Sequence, residues 1–293
     1  MTEPVLLVGH GTVDAAGVGE FVAFTRRVRE RLRPAGVDAD GGFIELAQPT
    51  VHQAWSALAA RGHRRMAAVP LVLVAAGHAK GDIPAALQRE VLRDPGSGFV
   101  MGRPLGPHPV LQELLAARIA AVSTPDTAVL LVGRGSTDPD ANAEVCKVAR
   151  LLQEGRGYDF VEPAFVSLTG PDVPAGLARC RALGARRVVV APYFLFDGVL
   201  PRRVADQAAA FGRAHPDVEV RTAAHLGDTD ELAGLVVERY REALRGDIRM
   251  NCDTCAYRVL LPGFEDKLGA PQTPHHHPDD PAGHGHGHAV AGE

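Results

Sequence analysis

The chain has 293 residues, enough for two ordinary domains or one large one. Hydrophobic residues make up 46% and aromatic residues only 5%, so a substantial core is filled mainly by aliphatic side chains. The formal charge of -4 comes from interspersed acids and bases, which leaves no basic stripe for nucleic acid or an anionic membrane. In chain order, strand-like runs fall at Val5–Val8, Gly42–Leu46, Met66–Val74, Phe99–Gly102, Val129–Val132, Val161–Val166, Arg187–Leu195 and Val218–Arg221. Stretches of helical period lie between them, among them Gly19–Arg33, Val51–Arg61, Pro107–Ala121, Asn142–Gln153 and Asp230–Leu244. Near-continuous apolar strands alternating with helices predict an α/β fold with mostly parallel sheets covered on both faces.

No basic segment followed by a long apolar one opens the chain, so a signal peptide is not expected. The most apolar stretch, Met66 to Gly77, is too short to span a bilayer and contains Pro70. Four cysteines in a chain of this length make no disulfide scaffold, and a cytoplasmic protein is expected. Cys146 and Cys180 fall in helical stretches and read as small core residues.

Self-similarity is the most informative signal. Val5-Leu-Leu-Val-Gly-His-Gly-Thr-Val-Asp14 is echoed by Val129-Leu-Leu-Val-Gly-Arg-Gly-Ser-Thr-Asp138. Phe43–Pro49 is echoed by Phe165–Pro171, and Met66–Val74 by Val188–Phe196. The first pair is offset by 124 residues and the others by 122. Three blocks in one order at nearly one offset indicate two tandem βα domains, residues 1–123 and 124–246. Residues 247–293 form a separate tail with Cys252-x-x-Cys255 and a Pro/His/Gly run from His275 to His288, expected to be disordered.

A feature of the fold should survive in both copies, whereas a chemical group need survive in only one. Gly9 and Gly11 recur as Gly133 and Gly135, and Asp14 recurs as Asp138 before Pro139, a helix N-cap pattern. His10, however, becomes Arg134, Glu45 becomes Ser167, and His78 falls near Val199–Leu200. All three sit at or just beyond the C-terminal ends of candidate parallel strands, where open α/β sheets gather ligands. Two imidazoles and one carboxylate suit first-row divalent ions such as cobalt, nickel, iron or zinc, and leave coordination positions open. The same groups accept protons near neutral pH. Insertion of a metal into a tetrapyrrole needs both abilities, since two pyrrole N–H protons must leave.

Competing motifs are weak. Gly9-x-Gly11 has Asp14 where a dinucleotide fingerprint needs glycine, and there is no Gly-x-Ser-x-Gly elbow. His52 and His63 read as surface residues, while His108 and His225 sit in loops with no assigned role.

The Gly-His10-Gly-Thr strand end, the Phe-Ile-Glu45-Leu-Ala-Gln-Pro block and Pro-Leu-Val-Leu-Val-Ala-Ala-Gly-His78-Ala-Lys-Gly-Asp-Ile-Pro84 together resemble the sirohydrochlorin chelatases of the CbiX type. The resemblance covers residues 4 to about 246. It implies a duplicated chelatase-like fold that inserts a divalent metal (Co2+, Fe2+ or Ni2+) into sirohydrochlorin held between the two halves. It further implies that His10 and His78 bind the metal and help deprotonate the pyrroles, that Glu45 assists, and that no nucleotide or redox cofactor takes part. The second copy then forms a non-catalytic wall. Arg134, Arg202 and Arg203 are candidates to meet the carboxylates of the substrate.

The Met-Asn-Cys252-Asp-x-Cys255-x-Tyr-Arg segment resembles long-form members with cysteine- and histidine-rich tails. Such relatives suggest an iron–sulfur cluster at Cys252 and Cys255, although two thiolates leave zinc or idle thiols open. His275, His276 and His277 are candidate accessory metal ligands. The long form favours cobalt and cobalamin synthesis, with iron for sirohaem as the alternative. A reading from another class is a non-catalytic metal-storage or delivery protein whose working part is the tail. No nucleic-acid or membrane partner is expected, and the chain reads as a monomer or homodimer.

Overall fold

The computed structural model describes residues 3–124, 126–247 and 265–270. The first half runs β1 (Val5–Gly9), α1 (Ala15–Leu32), β2 (Ala39–Phe43), α2 (Val51–Ala60), β3 (Arg65–Pro70), α3 (Ile83–Arg93), β4 (Gly98–Met101) and α4 (Pro109–Ala120). The second repeats the order with β5 (Ala128–Gly133), α5 (Pro139–Gln153), β6 (Val161–Phe165), α6 (Val173–Ala182), β7 (Arg187–Pro192), α7 (Val199–Ala214), β8 (Glu219–Thr222) and α8 (Asp230–Arg245). Each half forms a four-stranded parallel sheet, ordered β2-β1-β3-β4 and β6-β5-β7-β8. The α/β architecture expected from the alternating pattern is the one observed. Among the described residues no helix is long and apolar enough to cross a membrane.

Central strands β1 and β5 are buried along their whole length, which is why they read as unbroken apolar runs. One hydrophobic core runs through both halves, joining Leu7, Phe21, Phe24 and Val69 to Leu131, Val148 and Tyr193. The final helices cross over. α4 lies against α5 and β7 of the second half, and α8 lies against α1, β3 and β4 of the first. Arg239 on α8, fully buried, donates from Nε to the Pro104 carbonyl at 3.0 Å and from Nη2 to the Leu105 carbonyl at 2.8 Å. Glu242 receives Arg103 through two hydrogen bonds, at 2.9 and 2.8 Å. Each sheet is therefore completed by a helix of the other half.

Several boundaries differ from the sequence reading. β2 spans Ala39–Phe43, so Ile44, Glu45 and Leu46 have already left the sheet. The strand absorbs Gly41 and Gly42 because the neighbouring helices press on it: a Cβ at Gly42 would lie 2.3 Å from the Thr50 carbonyl, and one at Gly41 2.7 Å from the Thr25 hydroxyl. β3 and β7 stop at Pro70 and Pro192, earlier than their apolar runs suggest. Helix α1 starts at Ala15, because Asp14 caps it by accepting the Ala16 and Gly17 amides. Cys180 is buried, but Cys146 is exposed. It sits on α5 outside the buried face of Ala141, Val145, Val148 and Leu152, which corrects its assignment to the core.

Candidate active site

The turn after β1 exists because of its two glycines. Gly11 has φ +114°, and a Cβ there would lie 1.8 Å from the carbonyl oxygen of Glu45. The second copy repeats this at Gly135, with φ +87° and a Cβ position 1.9 Å from the Ser167 carbonyl. The segments after β2 and β6 are held against these turns in the same way. Glu45 N–H donates to the His10 carbonyl at 3.1 Å, and Ser167 N–H to the Arg134 carbonyl at 3.0 Å. Backbone geometry thus puts His10 beside Glu45 in one half and Arg134 beside Ser167 in the other.

His78 arrives from the third strand. Beyond Pro70 the chain crosses the sheet edge and turns through a wide helical turn, His78–Asp82, closed by Ile83 N–H donating to the His78 carbonyl. The imidazoles of His10 and His78 then meet edge to face, with ring centroids 4.1 Å apart. Each ring is oriented through its Nδ1. In His10 it lies 3.1 Å from the Gly11 carbonyl, and in His78 it lies 2.5 Å from Oδ2 of Asp82. Both contacts place the proton on Nδ1 and leave the Nε2 lone pairs for a cation or a proton.

Glu45 Oε1 stands 2.9 Å from His10 Nε2. The approach is not directed as a hydrogen bond, so this buried nitrogen has no hydrogen-bond partner. Burial, reinforced by the neighbouring His78, pushes the His10 pKa down to about 4. The imidazole is therefore neutral throughout the physiological range. Among the described residues, no three His, Cys, Asp or Glu side chains surround one metal-sized point. His10, Glu45 and His78 share one location, packed against each other rather than around a cage, and each is partly open to solvent.

Asp82 is 3% exposed, and a buried carboxylate needs a reason. Beyond this turn the copies are offset by 121, with Ile83, Leu87 and Glu90 on α3 matched by the buried Val204, Ala208 and Phe211 on α7, so the position of Asp82 is taken by the exposed Arg203. A buried acid in one copy and an exposed arginine in the other is a difference of the same kind as His10 against Arg134, and comparing the copies at that position would have found it.

Of the candidate cations, Arg134 lies across the cleft, close enough for its charge to act on His10 and Glu45. Arg202 forms ion pairs with Asp14 and Asp197. Arg203 is exposed on α7. The structure thus brings His10, Glu45, His78 and Arg134 together, and it places Arg202 at a seam between the halves. His52 pairs with Glu90 and His63 with Asp38. His108 caps α4, and His225 meets Glu20. Cys252, Cys255, His275, His276, His277 and the expected disorder of the tail lie outside the described residues.

Two exposed leucines flank the cleft. Leu46 and Leu168 follow Glu45 and Ser167, and both adopt left-handed backbone (φ 63° and 64°), which disfavours a branched side chain. With Val13, 76% exposed, they are apolar side chains open to solvent within three residues of His10, Glu45 and Ser167.

The family model CbiX matches this chain twice, over residues 4–122 and 128–243. A sirohydrochlorin cobaltochelatase of Priestia megaterium is 38% identical over 262 residues, 87% of this chain and 84% of the relative. A sirohydrochlorin ferrochelatase of the same organism is 33% identical over 208 residues, 70% of this chain and 77% of the relative. Among solved structures, SirB from Bacillus subtilis with Fe3+ superposes with a TM-score of 0.73 at 29% identity, over 84% of this chain and 98% of SirB. The duplicated turn, the paired sheets and the double match agree, and the chain belongs to the CbiX family.

Proposed function

We propose that this chain is a sirohydrochlorin chelatase that inserts a divalent metal, cobalt by preference, with ferrous iron as the alternative. The observation that carries the reading is the one-sided cluster of His10, Glu45 and His78, whose two imidazoles are each oriented through Nδ1, with Glu45 standing 2.9 Å from the Nε2 of His10. Insertion exchanges one divalent cation for two pyrrole N–H protons, so the site needs lone pairs that take up a metal loosely and then take up protons. A neutral His10 supplies such a lone pair.

The macrocycle sits over the exposed side chains of Leu46 and Leu168, with its anionic edge toward Arg134. Asp82 orients His78 through Nδ1 and so leaves its Nε2 to carry the lone pair. Cobalt is favoured by the higher identity to the cobaltochelatase relative and by the cysteine- and histidine-rich extension. The extension, with an iron–sulfur or zinc role for Cys252 and Cys255, enters no step of the insertion.

The test is insertion of cobalt and ferrous iron into sirohydrochlorin, followed by the absorption change of the macrocycle. Wild type should insert cobalt, and His10→Ala should lose it. Folded wild type that inserts neither metal overturns the assignment. The six histidines between His275 and His288 favour a metal-storage role as the second reading. A chain lacking residues 270–293 should retain turnover at ample metal if it is a chelatase, and lose function if the tail is the working part.

A further inference from the structure

The contacts between the halves come in pairs related by the duplication. Glu20 on α1 accepts the Asp197 amide at 2.8 Å, and Glu144 on α5, offset by 124, accepts the Ala75 amide at 2.9 Å. Asp14, the cap of α1, pairs with Arg202, while Asp138, the cap of α5, pairs with Lys80, offset by 122 from Arg202. Each half thus uses the start of its first helix to tie down the loop that follows the third strand of the other half.

The two ties are not equivalent. The one on the second half's loop is solvated, with Arg202 half exposed and Glu20 about one third exposed. The one on the first half's loop is buried: Lys80 is 10% exposed, and Asp138 and Asp140 are 3% each. Lys80 Nζ donates to Asp138 at 2.7 Å and to Asp140 at 3.1 Å. Burial works against its ammonium, but the two carboxylates outweigh that and raise its pKa. This tightly held loop is the one that carries His78, between Ala75 and Lys80.

Resting on the chelatase reading above, we propose that Asp138, Asp140 and Glu144 of the second half are positioning residues for His78, fixing its loop through the Lys80 ammonium and the Ala75 amide. The second copy therefore does more than wall the cleft. It sets where the ligand-bearing loop of the first copy stands, and Glu20 supplies an internal control because it makes the same bond to a loop without a histidine.

The experiment compares Glu144→Ala, Glu144→Gln and Glu20→Ala in the full chain, reading cobalt insertion kinetics, thermal stability and hydrogen exchange at the Ala75 amide. Leaving a buried amide without its acceptor should lower kcat in Glu144→Ala by about tenfold, with the KM for sirohydrochlorin within about twofold. Exchange at Ala75 should speed up to match. Glu144→Gln keeps an acceptor and should restore both, and Glu20→Ala should insert cobalt like wild type. Equal losses in Glu144→Ala and Glu20→Ala, or no rescue by glutamine, would overturn the proposal. If Glu144→Ala does not fold, Asp140→Asn gives the same reading, since removing one carboxylate from Lys80 should slow insertion without moving KM. Should wild type itself insert no metal, the exchange measurement still decides whether Glu144 holds the loop.

Discussion

At the end of β1, Gly9-His10-Gly11 turns a histidine toward the cleft. At the end of β5, Gly133-Arg134-Gly135 makes the same turn with an arginine. The carbonyl contact that demands glycine is present in both, at 1.8 and 1.9 Å from the missing Cβ, so the backbone requirement is shared while the chemistry is not. The same holds further along: Glu45 against Ser167, and buried Asp82 against exposed Arg203. A duplicated chain can thus keep one backbone turn in both copies while the polar side chains it presents diverge.

The sharpest way to break this comparison is to write the second copy's residue into the first. His10→Arg should reduce cobalt insertion by more than about 100-fold, a larger loss than an outer-shell substitution brings. The reverse exchange, Arg134→His with Ser167→Glu, should create no second active site, because that half has no counterpart of His78 or Asp82. Insertion assays on both variants check this.

Gly11→Ala and Gly135→Ala test the shared part. Each forces a side chain onto a carbonyl oxygen at positive φ, and each should cost about 2–4 kcal/mol in denaturant unfolding. Only Gly11→Ala should also lose insertion in its remaining folded fraction, since only that turn carries His10.

Next in size is Asp82→Asn. It keeps the shape of the side chain but weakens the hold on His78, and should lower cobalt affinity by about 10–100-fold. Isothermal titration with cobalt in the absence of sirohydrochlorin checks it.

The smallest effect is on the pH dependence of stability. His10 is held down at about 4, so the folded protein binds fewer protons than the unfolded chain between about 4 and 6.5. Its contribution is present above that window and is lost as pH falls through it. Glu144 has the opposite sign. Burial, helped by the nearby Asp140 and opposed by Lys80, Lys147 and the Ala75 hydrogen bond, pushes its carboxyl up to about 7 from 4.5. Its contribution is complete below 4.5 and is lost as pH rises through 7. Urea unfolding between pH 5 and 7 should therefore show stability rising more steeply with pH in Glu144→Gln than in wild type, and less steeply in His10→Ala.

Much of this was legible in the residues, because the chain carries its own comparison. His10, Glu45 and His78 stand out by their absence from the second copy, and the structure brings all three together. The expected strand Gly42–Leu46 follows the apolar residues Phe43, Ile44 and Leu46, whereas β2 spans Ala39–Phe43 and takes in Gly41 and Gly42, where Thr25 and Thr50 leave no room for a side chain. Arg202 looks like a substrate cation in sequence, and only tertiary contact shows it paired with Asp14. The signal for that pairing was present all the same: Lys80 and Arg202 keep one charge at the duplicated offset, as do Asp14 and Asp138. The exchange of α4 and α8 leaves no mark, since an apolar helix face does not say which sheet it covers.

That exchange makes the molecule a swapped dimer written as one polypeptide. A cut in the connection between α4 and β5 would separate no domains, because each fragment would still have its last helix locked into the other. A single half produced alone would expose both the sheet face that awaits a helix and the helix that awaits a sheet, and would bury them only by pairing with a second copy of itself. Fusing the two copies end to end removes that dependence on concentration, and it frees one copy to lose the histidines, because its partner can no longer be an identical chain.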